Sequence, residues 1–597
     1  MDWITQHASW SSGPWSLELR DDELADIAYD GRPVLRAVRA VVRDRNWDTA
    51  PLVVDRVRET DATLTLHVRS AGLGSSFRGV VRVEARDARL VVIADLESEH
   101  PFETNRTGLV VLHPPALAGA DLRVTHPDGR EEATAFPESI SPHQPVRDIS
   151  GLAWTHGGLD VRLRFDGDVF EMEDQRNWTD ASFKTYSRPL SLPFPYPISA
   201  GDRVVQTLEI EVATTDAAPG IPMTDTIALT SGEAFPAIAV AASTAPDPAP
   251  AVAPVGSAVL VELDLATRNW RAALGRAAAS GLPLDVQFVL ADDDALAAGV
   301  AALRDHDVVR VTAFQPEGAA RHISDAAAIA TLRRALAAAG VSAAVVGGAR
   351  SHFTELNREH HRLPADLDGI VFSVTPLFHS LGTEQLVESL AMQRLVAAQA
   401  VRIAASVAGG PSTGSATEGA GTGSGAEGVP VHIGPIGLRP HFNDVATTPP
   451  PRAAHDDLRD GYGPALLDLA DPRQDAEELA AWTIASAAAL AVPGVETLTF
   501  FEEWGPRGIR DASGTDRPVA DAIRALAALS GTALLHGASP DGLIWAIGGA
   551  DAEGRERVLV ANLDRTGRTL RLTTETGHAG IHLGPLTWLA LDLPAPR

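Results

Sequence analysis

The hydrophobic pattern of this chain changes at a Pro/Ala segment from alternation to continuous apolar runs, and it returns to alternation near the C-terminus in LIWAIGG, RVLVANL, RTLRLTT and LTWLALDL. Up to about residue 215, runs such as TLTLHVRS and RLVVIADLES alternate apolar and polar residues between Gly, Pro and Asp turns. This alternation is typical of half-buried strands in a β-sandwich. The segment STAPDPAPAVAPVG at 243–256 has the composition of a semi-rigid spacer, so we expect a domain boundary there.

After the spacer, apolar runs alternate with Ala/Leu/Arg-rich helical stretches. The seven runs are AVLVELDL, LDVQFVL, DVVRVTAF, SAAVVGGA, DGIVFSV, VPVHIGPIGL and VETLTFFEE. With a candidate eighth strand at TALLHGA, near residue 532, they predict a TIM-like (β/α)8 barrel, with an open doubly wound sheet as the competing topology. No GxGxxG or P-loop motif follows these runs, which argues against the open sheet and predicts no nucleotide or other cofactor.

The predicted fold class is therefore multidomain, α/β plus β. It comprises an N-terminal β-sandwich over 1–215, a linker over 216–256, the TIM-like (β/α)8 barrel over 257–530 and a small C-terminal β-domain over 531–597. The Gly/Ser-rich tract at 409–428 reads as a disordered loop insertion in the barrel, and we assign it no role.

Composition narrows the possible partners. The formal charge of −28 argues against a nucleic acid or an anionic membrane, both of which attract basic surfaces. The chain has no cysteine, and MDWITQHASWSSG has no basic start or apolar core of a signal peptide, so we expect a cytoplasmic protein. The segment LAAWTIASAAALAV at 479–492 is short and follows acidic residues, which predicts a buried helix. The expected partner is a small polyhydroxylated molecule; no oligomeric state is defined.

Two carboxylate groups follow predicted barrel strands. Glu355 comes after the fourth of the seven runs, and Glu502 and Glu503 end the seventh. Many retaining glycosidases place an acid/base and a nucleophile about 5 Å apart in this way. Trp504 would add an aromatic wall able to raise a carboxyl pKa or stack on a sugar ring. Glutamate is also common at helix starts, and core packing would explain the aromatic residue nearly as well.

Other polar residues follow the same strands and are candidates for substrate binding. They are Asn357, His379, His432 and Arg439. No HxH or HExxH spacing occurs among the histidines, so we predict no metal site.

The only lysine of the chain, Lys184, lies in the polar stretch EMEDQRNWTDASFKTY at 171–186. The other candidate binding residues there are Glu173, Asp174, Arg176, Asn177 and Asp180. Such a density of charge indicates either a solvated loop or an inward-facing polar site with paired charges. The rigid, proline-rich sequel favours the inward site, although codon bias would also explain a lone lysine.

Several stretches resemble the D-apionate lactonase family. They are GRPVLRAVRAVVRDRNWDT at 31–49, NRTGLVVLHP at 105–114, FPESISPHQPVRDI at 136–149, FEMEDQRNWTDASFKTY at 170–186 and FTELNR at 353–358. The resemblance implies a β-rich N-terminal domain, a TIM-like barrel, a C-terminal β-domain and hydrolysis of a small sugar-acid lactone in apiose catabolism. The chain departs from the family's pattern at TPLFHSLG, where only His379 is kept, and at 409–428.

Three functions follow from these observations. The first is a lactone hydrolase in which Glu355 or Glu503 activates water and Arg176, Asn177 or Lys184 stabilises the oxyanion. The second is a retaining glycoside hydrolase with Glu355 as acid/base and Glu502 or Glu503 as nucleophile. The third is a non-catalytic carbohydrate-binding protein, which the charged cluster makes less favourable.

Overall fold

The computed structural model describes residue 3 and residues 5–215, 226–409, 428–446, 452–463, 470–575 and 577–593. Most of the predicted insertion at 409–428 lies outside the described residues. Large hydrophobic cores form within the N-terminal strands, in and around the barrel, and between the C-terminal strands. No helix in the described part of the chain is long and apolar enough to cross a membrane.

The N-terminal domain is a sandwich of antiparallel sheets, as predicted. Its strands are β1 Ala8–Ser12, β2 Trp15–Arg20, β3 Glu23–Tyr29, β4 Arg32–Arg43, β5 Leu52–Glu59, β6 Thr63–Gly72, β7 Ser75–Arg86, β8 Arg89–Ser98, β9 Phe102–Thr104, β10 Arg106–His113, β11 Asp121–Thr125, β12 Glu131–Ala135, β13 Val146–Ile149, β14 Gly151–His156, β15 Leu159–Asp166, β16 Phe170–Asp174, β17 Phe183–Ser187, β18 Tyr196–Ile198 and β19 Arg203–Thr214. The first sheet has the order β1-β2-β3-β4-β10-β17-β16-β13, and the second β12-β11-β14-β15-β19-β8-β7-β6-β5. β9 and β18 pair separately.

The first sheet is buried on both faces near its centre. Leu109 and Val111 of β10 point into the sandwich core, whereas Val110 packs with Val41 and Tyr186 on the opposite face. Successive residues of a strand point to opposite faces, so one strand serves both the sandwich core and this second surface. The second surface faces the barrel.

The barrel follows two short strands, β20 Thr226–Ala228 and β21 Thr230–Ala234. Its own strands are β22 Ala237–Ala241, β23 Val259–Asp264, β24 Leu284–Val289, β25 Val308–Phe314, β26 Ala344–Val345, β27 Gly347–His352, β28 Ile370–Val374, β29 Val431–Ile436 and β30 Val495–Glu502. The α-helices are α1 Trp270–Ala278, α2 Asp293–Ala301, α3 Ala326–Ala339, α4 Phe353–Glu359, α5 Thr383–Ala408, α6 Glu478–Leu490 and α7 Val519–Ala527.

The barrel strands are parallel and pair in the order β26-β25-β24-β23-β22-β30-β29-β28-β27. β26 and β27 are separated by one residue and act as a single interrupted strand, so the sheet forms an eight-stranded barrel. Strands such as β24 are buried along their whole length, as expected for parallel strands covered by helices.

The first barrel strand is β22, and this differs from the sequence prediction. β22 pairs with both β23 and β30, so the predicted spacer at 243–256 is a loop inside the barrel and not a domain boundary. The predicted eighth strand, TALLHGA, instead pairs with β21 and β32 (Ile544–Ala550) outside the barrel. The prediction failed because AIAVA is a short, alanine-rich run with a weak strand signal.

The C-terminal β-domain consists of two small sheets. Its remaining strands are β31 Ala533–Ala538, β33 Glu556–Asn562, β34 Arg568–Thr573, β35 His578–Leu583 and β36 Thr587–Leu593. The sheet orders are β21-β31-β32-β33-β36 and β20-β34-β35, so residues 226–234, predicted as linker, belong to this domain. The apolar helix α6 is buried on all sides between the barrel and the larger sheet, as predicted for the segment 479–492.

Candidate active site between the N-terminal domain and the barrel

A cavity of about 610 Å³ lies between the first sheet of the sandwich and the carboxyl ends of barrel strands. β4, β10, β16 and β17 line it on one side, and α4 and the loops after β28 and β29 line it on the other. Its polar lining consists of Arg43, Asp48, Thr49, Arg106, Glu173, Lys184, Tyr186, Ser187, Arg358, His379, Arg439 and Asn443. Its aromatic walls are Trp47, Trp178, Phe378 and Phe442. Substrate sites of barrel enzymes lie at this end of the strands.

The polar stretch at 171–186 folds as a hairpin that faces this cavity. β16 leads into a short 3-10 helix, Gln175–Trp178, whose N-terminus is capped by the side chain of Asp174. Thr179 then adopts a left-handed conformation (φ 65°), which reverses the chain toward β17. The antiparallel pairing places Glu173 directly opposite Lys184. The inward-facing site expected for this stretch is thus present.

Lys184 and Glu173 form an ion pair in the cavity wall. The Nζ atom lies 2.5 Å from Oε2 of Glu173 and 5.1 Å from the centre of the Tyr186 ring. Burial lowers the pKa of Lys184 below its usual value, although Glu173 opposes this effect. Burial also favours the neutral form of Glu173, but the charges of Lys184 and Arg358 outweigh it and hold the pKa of Glu173 below its usual value. The Glu173 carboxylate is therefore charged at neutral pH and faces the Lys184 amine.

A second polar pair crosses from the N-terminal domain to the barrel. The Nδ1 atom of His379 lies 2.5 Å from Oδ2 of Asp180, and Gln385 donates to the other oxygen of Asp180 at 2.7 Å. Burial, with the charges of Lys184 and Arg43, holds the pKa of His379 well below its usual value, and burial raises the pKa of Asp180. His379 is thus a neutral imidazole that lines the cavity, with Asp180 behind it.

Four of the predicted binding residues instead make buried contacts, Asp174 and Arg176 within the N-terminal domain and Asn177 and Asn357 between that domain and the barrel. Asp174 and Arg176 form a fully buried ion pair at 2.7 Å, and Arg176 also donates to backbone carbonyl groups at 137–139. Asn357 donates to Oδ1 of Asn177 at 2.9 Å and to the carbonyl oxygen of Ile140 at 3.2 Å. None of the four lines the cavity, so their hydrogen bonds satisfy buried groups.

Glu355 lies in the first turn of α4, outside the lining of the cavity. Its carboxyl group accepts a hydrogen bond from Ser351 at 2.7 Å. Burial and the neighbouring Asp444 carboxyl group raise the pKa of Glu355 well above its usual value. No hydrogen-bond donor among the described residues reaches either carboxyl oxygen of Asp444. Burial therefore favours the neutral form of Glu355.

Glu502 and Glu503 end β30 on the other side of the barrel from α4. The carboxylate of Glu502 accepts hydrogen bonds from the amide and hydroxyl groups of Thr244 at 3.0 and 2.8 Å, and from Arg507 at 2.7 Å. Glu503 is buried, and burial raises its pKa to about 7 against the opposing charges of Arg510 and Arg276. Neither glutamate lines the cavity.

The remaining predicted residues are divided between the cavity and the barrel interior. Arg439 lines the cavity and lies 3.5 Å from Asp471. His432 is buried near the start of β29, where it contacts the hydroxyl group of Thr497 at 3.1 Å and where burial lowers its pKa to about 3. The ring of Trp504 packs beneath the guanidinium group of Arg276, at 5.1 Å. His432 and Trp504 are therefore packing residues here.

The strand count changes the basis of the glycosidase alternative. Because β22 is the first barrel strand, Glu355 follows the fifth strand and Glu502 and Glu503 end the eighth. The fourth strand, β25, is followed by the exposed Glu317, and the seventh, β29, ends at Ile436 without a carboxylate. The predicted placement after strands four and seven is therefore wrong, and strand position no longer supports the glycosidase alternative.

A smaller cavity of about 140 Å³ lies in the barrel mouth itself. Arg350 makes two hydrogen bonds to Glu262 there, at 2.8 and 2.6 Å, and its guanidinium group stacks on Phe442. Phe442 and Pro440 line both cavities and separate them. Among the described residues, no group of three or more His, Asp or Glu side chains converges as metal ligands would.

Several residues of the cavity were not among the candidates predicted from the sequence. Arg43 and Arg106 come from β4 and β10, and Trp47 and Tyr186 flank the guanidinium group of Arg106 at 5.1 and 5.5 Å from their ring centres. Arg358 reaches the cavity from α4 and lies 3.7 Å from Glu173. A signal was available, because all five residues lie in stretches that carry the family resemblance. The alternating pattern of β4 and β10 gave no reason to distinguish Arg43 and Arg106 from surface arginines.

Comparisons with known proteins agree with that resemblance. The family model described as D-apionate lactonase, N-terminal domain, matches residues 2–215. The model described as D-apionate lactonase, TIM barrel domain, matches residues 234–413 and 421–531. The second match begins before β22, in agreement with the observed barrel.

A curated relative and two solved structures show how far the similarity extends. A D-apionate lactonase from Brucella anthropi is 41% identical over 214 residues, which span 34% of this chain and only 35% of that protein. A GH51 arabinofuranosidase from Xanthomonas axonopodis pv. citri has a TM-score of 0.36 at 10% identity and covers 53% of this chain and 76% of that one. A putative aldose 1-epimerase from Escherichia coli K12 has a TM-score of 0.24 at 11% identity, over 35% of this chain and 99% of that one. The similarity to these two solved structures says nothing about activity. The two family models together span most of the sequence, and the chain belongs to the D-apionate lactonase family.

Proposed function

We propose that this protein hydrolyses a small sugar-acid lactone, D-apionolactone or a close relative, in the cavity between the sandwich and the barrel. One observation carries the proposal: the stretches that resemble the family converge there. Residues 31–49 supply Arg43, residues 105–114 supply Arg106, residues 170–186 supply Glu173 and Lys184, and residues 353–358 supply Arg358. The fifth stretch, 136–149, contributes the carbonyl group of Pro142, which accepts from Arg358 at 2.8 Å.

The cavity contains a base able to activate water. Asp180 binds Nδ1 of His379, and the mechanism uses Asp180 in its charged form, which burial disfavours: a carboxylate there accepts from Nδ1–H and leaves a free lone pair on Nε2. Nε2 accepts a proton from water while the water oxygen bonds to the lactone carbonyl carbon. The ring C–O bond then breaks, and the ring oxygen takes the proton back from Nε2. The acid formed releases its own proton to solvent.

Lys184 supplies the positive charge for the developing oxyanion. Its ammonium group is held by Glu173 and is buried, so it is fixed before the substrate binds. A preorganised donor in a partly dry site stabilises a tetrahedral intermediate more than a solvated one does. Trp178 and Phe378, whose rings stack at 6.3 Å, offer a flat apolar wall for the sugar ring. Whether Glu355 and Glu503 take part, as the sequence predicts, is tested by the variants below.

The activity is tested with a pH-indicator assay of the purified full chain on aldonolactones, including D-apionolactone, beside nitrophenyl glycosides. We expect acid release from a lactone that is lost in His379→Asn and retained in Glu355→Gln and Glu503→Gln. Loss in the two glutamine variants would instead establish the barrel carboxylates as catalytic. Nitrophenol release without lactone opening would contradict the proposal and support the glycosidase alternative.

A further inference from the structure

Two arginines of the cavity face each other across neighbouring strands. Arg43 of β4 and Arg106 of β10 are direct partners in the antiparallel register. Like charges opposite each other on a sheet destabilise it, and the effect is larger away from water. Arg106 is 5% exposed, and Arg43 is half-buried at the cavity surface. A pair of this kind needs a compensating negative charge.

The described residues form no ion pair with either arginine. No described Asp or Glu comes within ion-pair distance of either guanidinium group, whereas Lys184, Arg358 and Arg439 each have a carboxylate partner. Arg43 donates only to the carbonyl oxygen of Trp47, at 3.4 Å. Arg106 donates only to the carbonyl oxygen of Asn105, at 2.6 Å, and its Nε and Nη2 atoms have no partner.

The other groups around the two arginines leave the positive charge of the cavity in excess. Tyr186 and Trp47 present aromatic faces to Arg106, and such faces are weak acceptors that do not neutralise a cation. Glu173 acts on Arg43 but is engaged by Lys184. Glu171 acts on Arg106 but accepts the hydrogen bond of the Tyr186 hydroxyl group at 2.6 Å. In a protein with a formal charge of −28, this cavity is a local region of net positive charge.

We propose that Arg43 and Arg106 form an anion subsite that binds a carboxylate, namely the one released when the lactone opens. The identity of the anion rests on the proposed function, whereas the subsite itself does not. Guanidinium groups bind carboxylates through paired N–H donors, and Arg43 has unoccupied donors at the cavity surface. The open-chain hydroxy acid should therefore bind more tightly than a neutral polyol of the same length.

The test measures binding and requires no turnover. The full chain is titrated calorimetrically with D-ribonate, with the neutral polyol ribitol and with acetate, and melting temperatures are recorded with each ligand. We expect D-ribonate to bind at least about tenfold more tightly than ribitol. Arg43→Met and Arg106→Met should each lose at least about tenfold of the D-ribonate affinity and leave ribitol binding unchanged. Arg394→Met, which removes an arginine that also stacks on a ring (Trp545) far from the cavity, is the matched control and should behave as the native chain.

The melting temperatures of the ligand-free variants show whether the two arginines form an anion subsite or have a structural role. Removing one of two opposed cations should maintain or raise the melting temperature of the ligand-free chain, whereas loss of a structural arginine would lower it. Equal affinities for D-ribonate and ribitol would overturn the proposal. The proposal would also be overturned if carboxylates raised the melting temperature of the native chain no more than they raise that of Arg43→Met. Arginine-dependent D-ribonate binding without lactone opening would contradict the proposed function and leave the subsite standing.

Discussion

The Nζ atom of Lys184 lies 2.5 Å from Oε2 of Glu173, its direct cross-strand partner in the wall of the cavity. An arginine at 184 has a longer, planar head, which would displace Glu173 or project into the substrate space. We expect Lys184→Arg to lower kcat/KM for lactone opening by at least about 100-fold, as the loss of an oxyanion donor does elsewhere. The melting temperature should stay close to that of the native chain. Normal turnover by this variant would make the lone lysine a consequence of codon bias.

His379 and Asp180 provide the second prediction. His379→Asn keeps a polar partner for Asp180 but removes the base, so kcat should fall by about 10²- to 10⁴-fold. Asp180→Asn acts through His379 by favouring the wrong tautomer and should lower kcat with little change in KM. His432→Asn is the control, because that histidine is also largely shielded from solvent but lies outside the cavity. Steady-state kinetics of the three variants check the assignment, and an unchanged kcat in His379→Asn would refute it.

The pH profile of the reaction follows from the same groups. His379 acts in its neutral form, and burial holds its pKa well below the usual 6.5, so the imidazole itself should be protonated only as the pH falls through that lowered value. Lys184 acts in its charged form, and burial lowers its pKa below 10.5, so activity should decline as the pH rises through that value. We expect kcat/KM to be level at pH 6.5 and to fall before pH 10.5. An acid half-maximum at or above pH 6.5 would contradict a buried, neutral imidazole.

Local pattern was sufficient to predict the three kinds of domain. Alternation identified the sandwich, and continuous apolar runs identified the barrel. Strand numbering failed at AIAVA (237–241), where five small or branched residues are buried only because β23 and β30 flank them. That tertiary contact leaves no periodic signal in a run so short. The error of one strand moved Glu355 and Glu503 to the wrong positions around the barrel.

The candidate site shows a similar limit at the scale of single residues. The stretch EMEDQRNWTDASFK predicts an inward polar cluster, and the structure contains one. Sequence alone does not separate Glu173, which faces the cavity, from Asp174, which caps a 3-10 helix and pairs with Arg176. Adjacent strand residues point to opposite faces, so a shift of one position exchanges a binding residue for a packing residue. The roles of Arg43 and Arg106 depend on contacts between distant strands, which no local pattern encodes.

Glu503 allows a prediction about stability that also tests its catalytic role. Its pKa is about 7 in the folded chain and 4.5 for an ordinary glutamate, because burial disfavours the charged form. Between these values the folded state binds more protons than the unfolded state, so the contribution of Glu503 to stability is present below pH 4.5 and is lost as the pH rises to about 7. Glu503→Gln does not titrate, and its stability relative to the native chain should rise by at most about 3 kcal/mol over this interval.

Melting temperatures at pH 5 and pH 8 check this prediction. The melting temperature of Glu503→Gln should rise relative to that of the native chain between pH 5 and pH 8. The neighbouring variant Glu502→Gln is the control: it weakens the ion pair with Arg507 and should lower the melting temperature at both. If Glu503 is only a buried acid, its variant keeps lactone opening within about threefold of the native rate. If lactone opening falls at least about 100-fold while the stability gain is present, Glu503 is required for catalysis in a folded chain, and His379 is not the sole base.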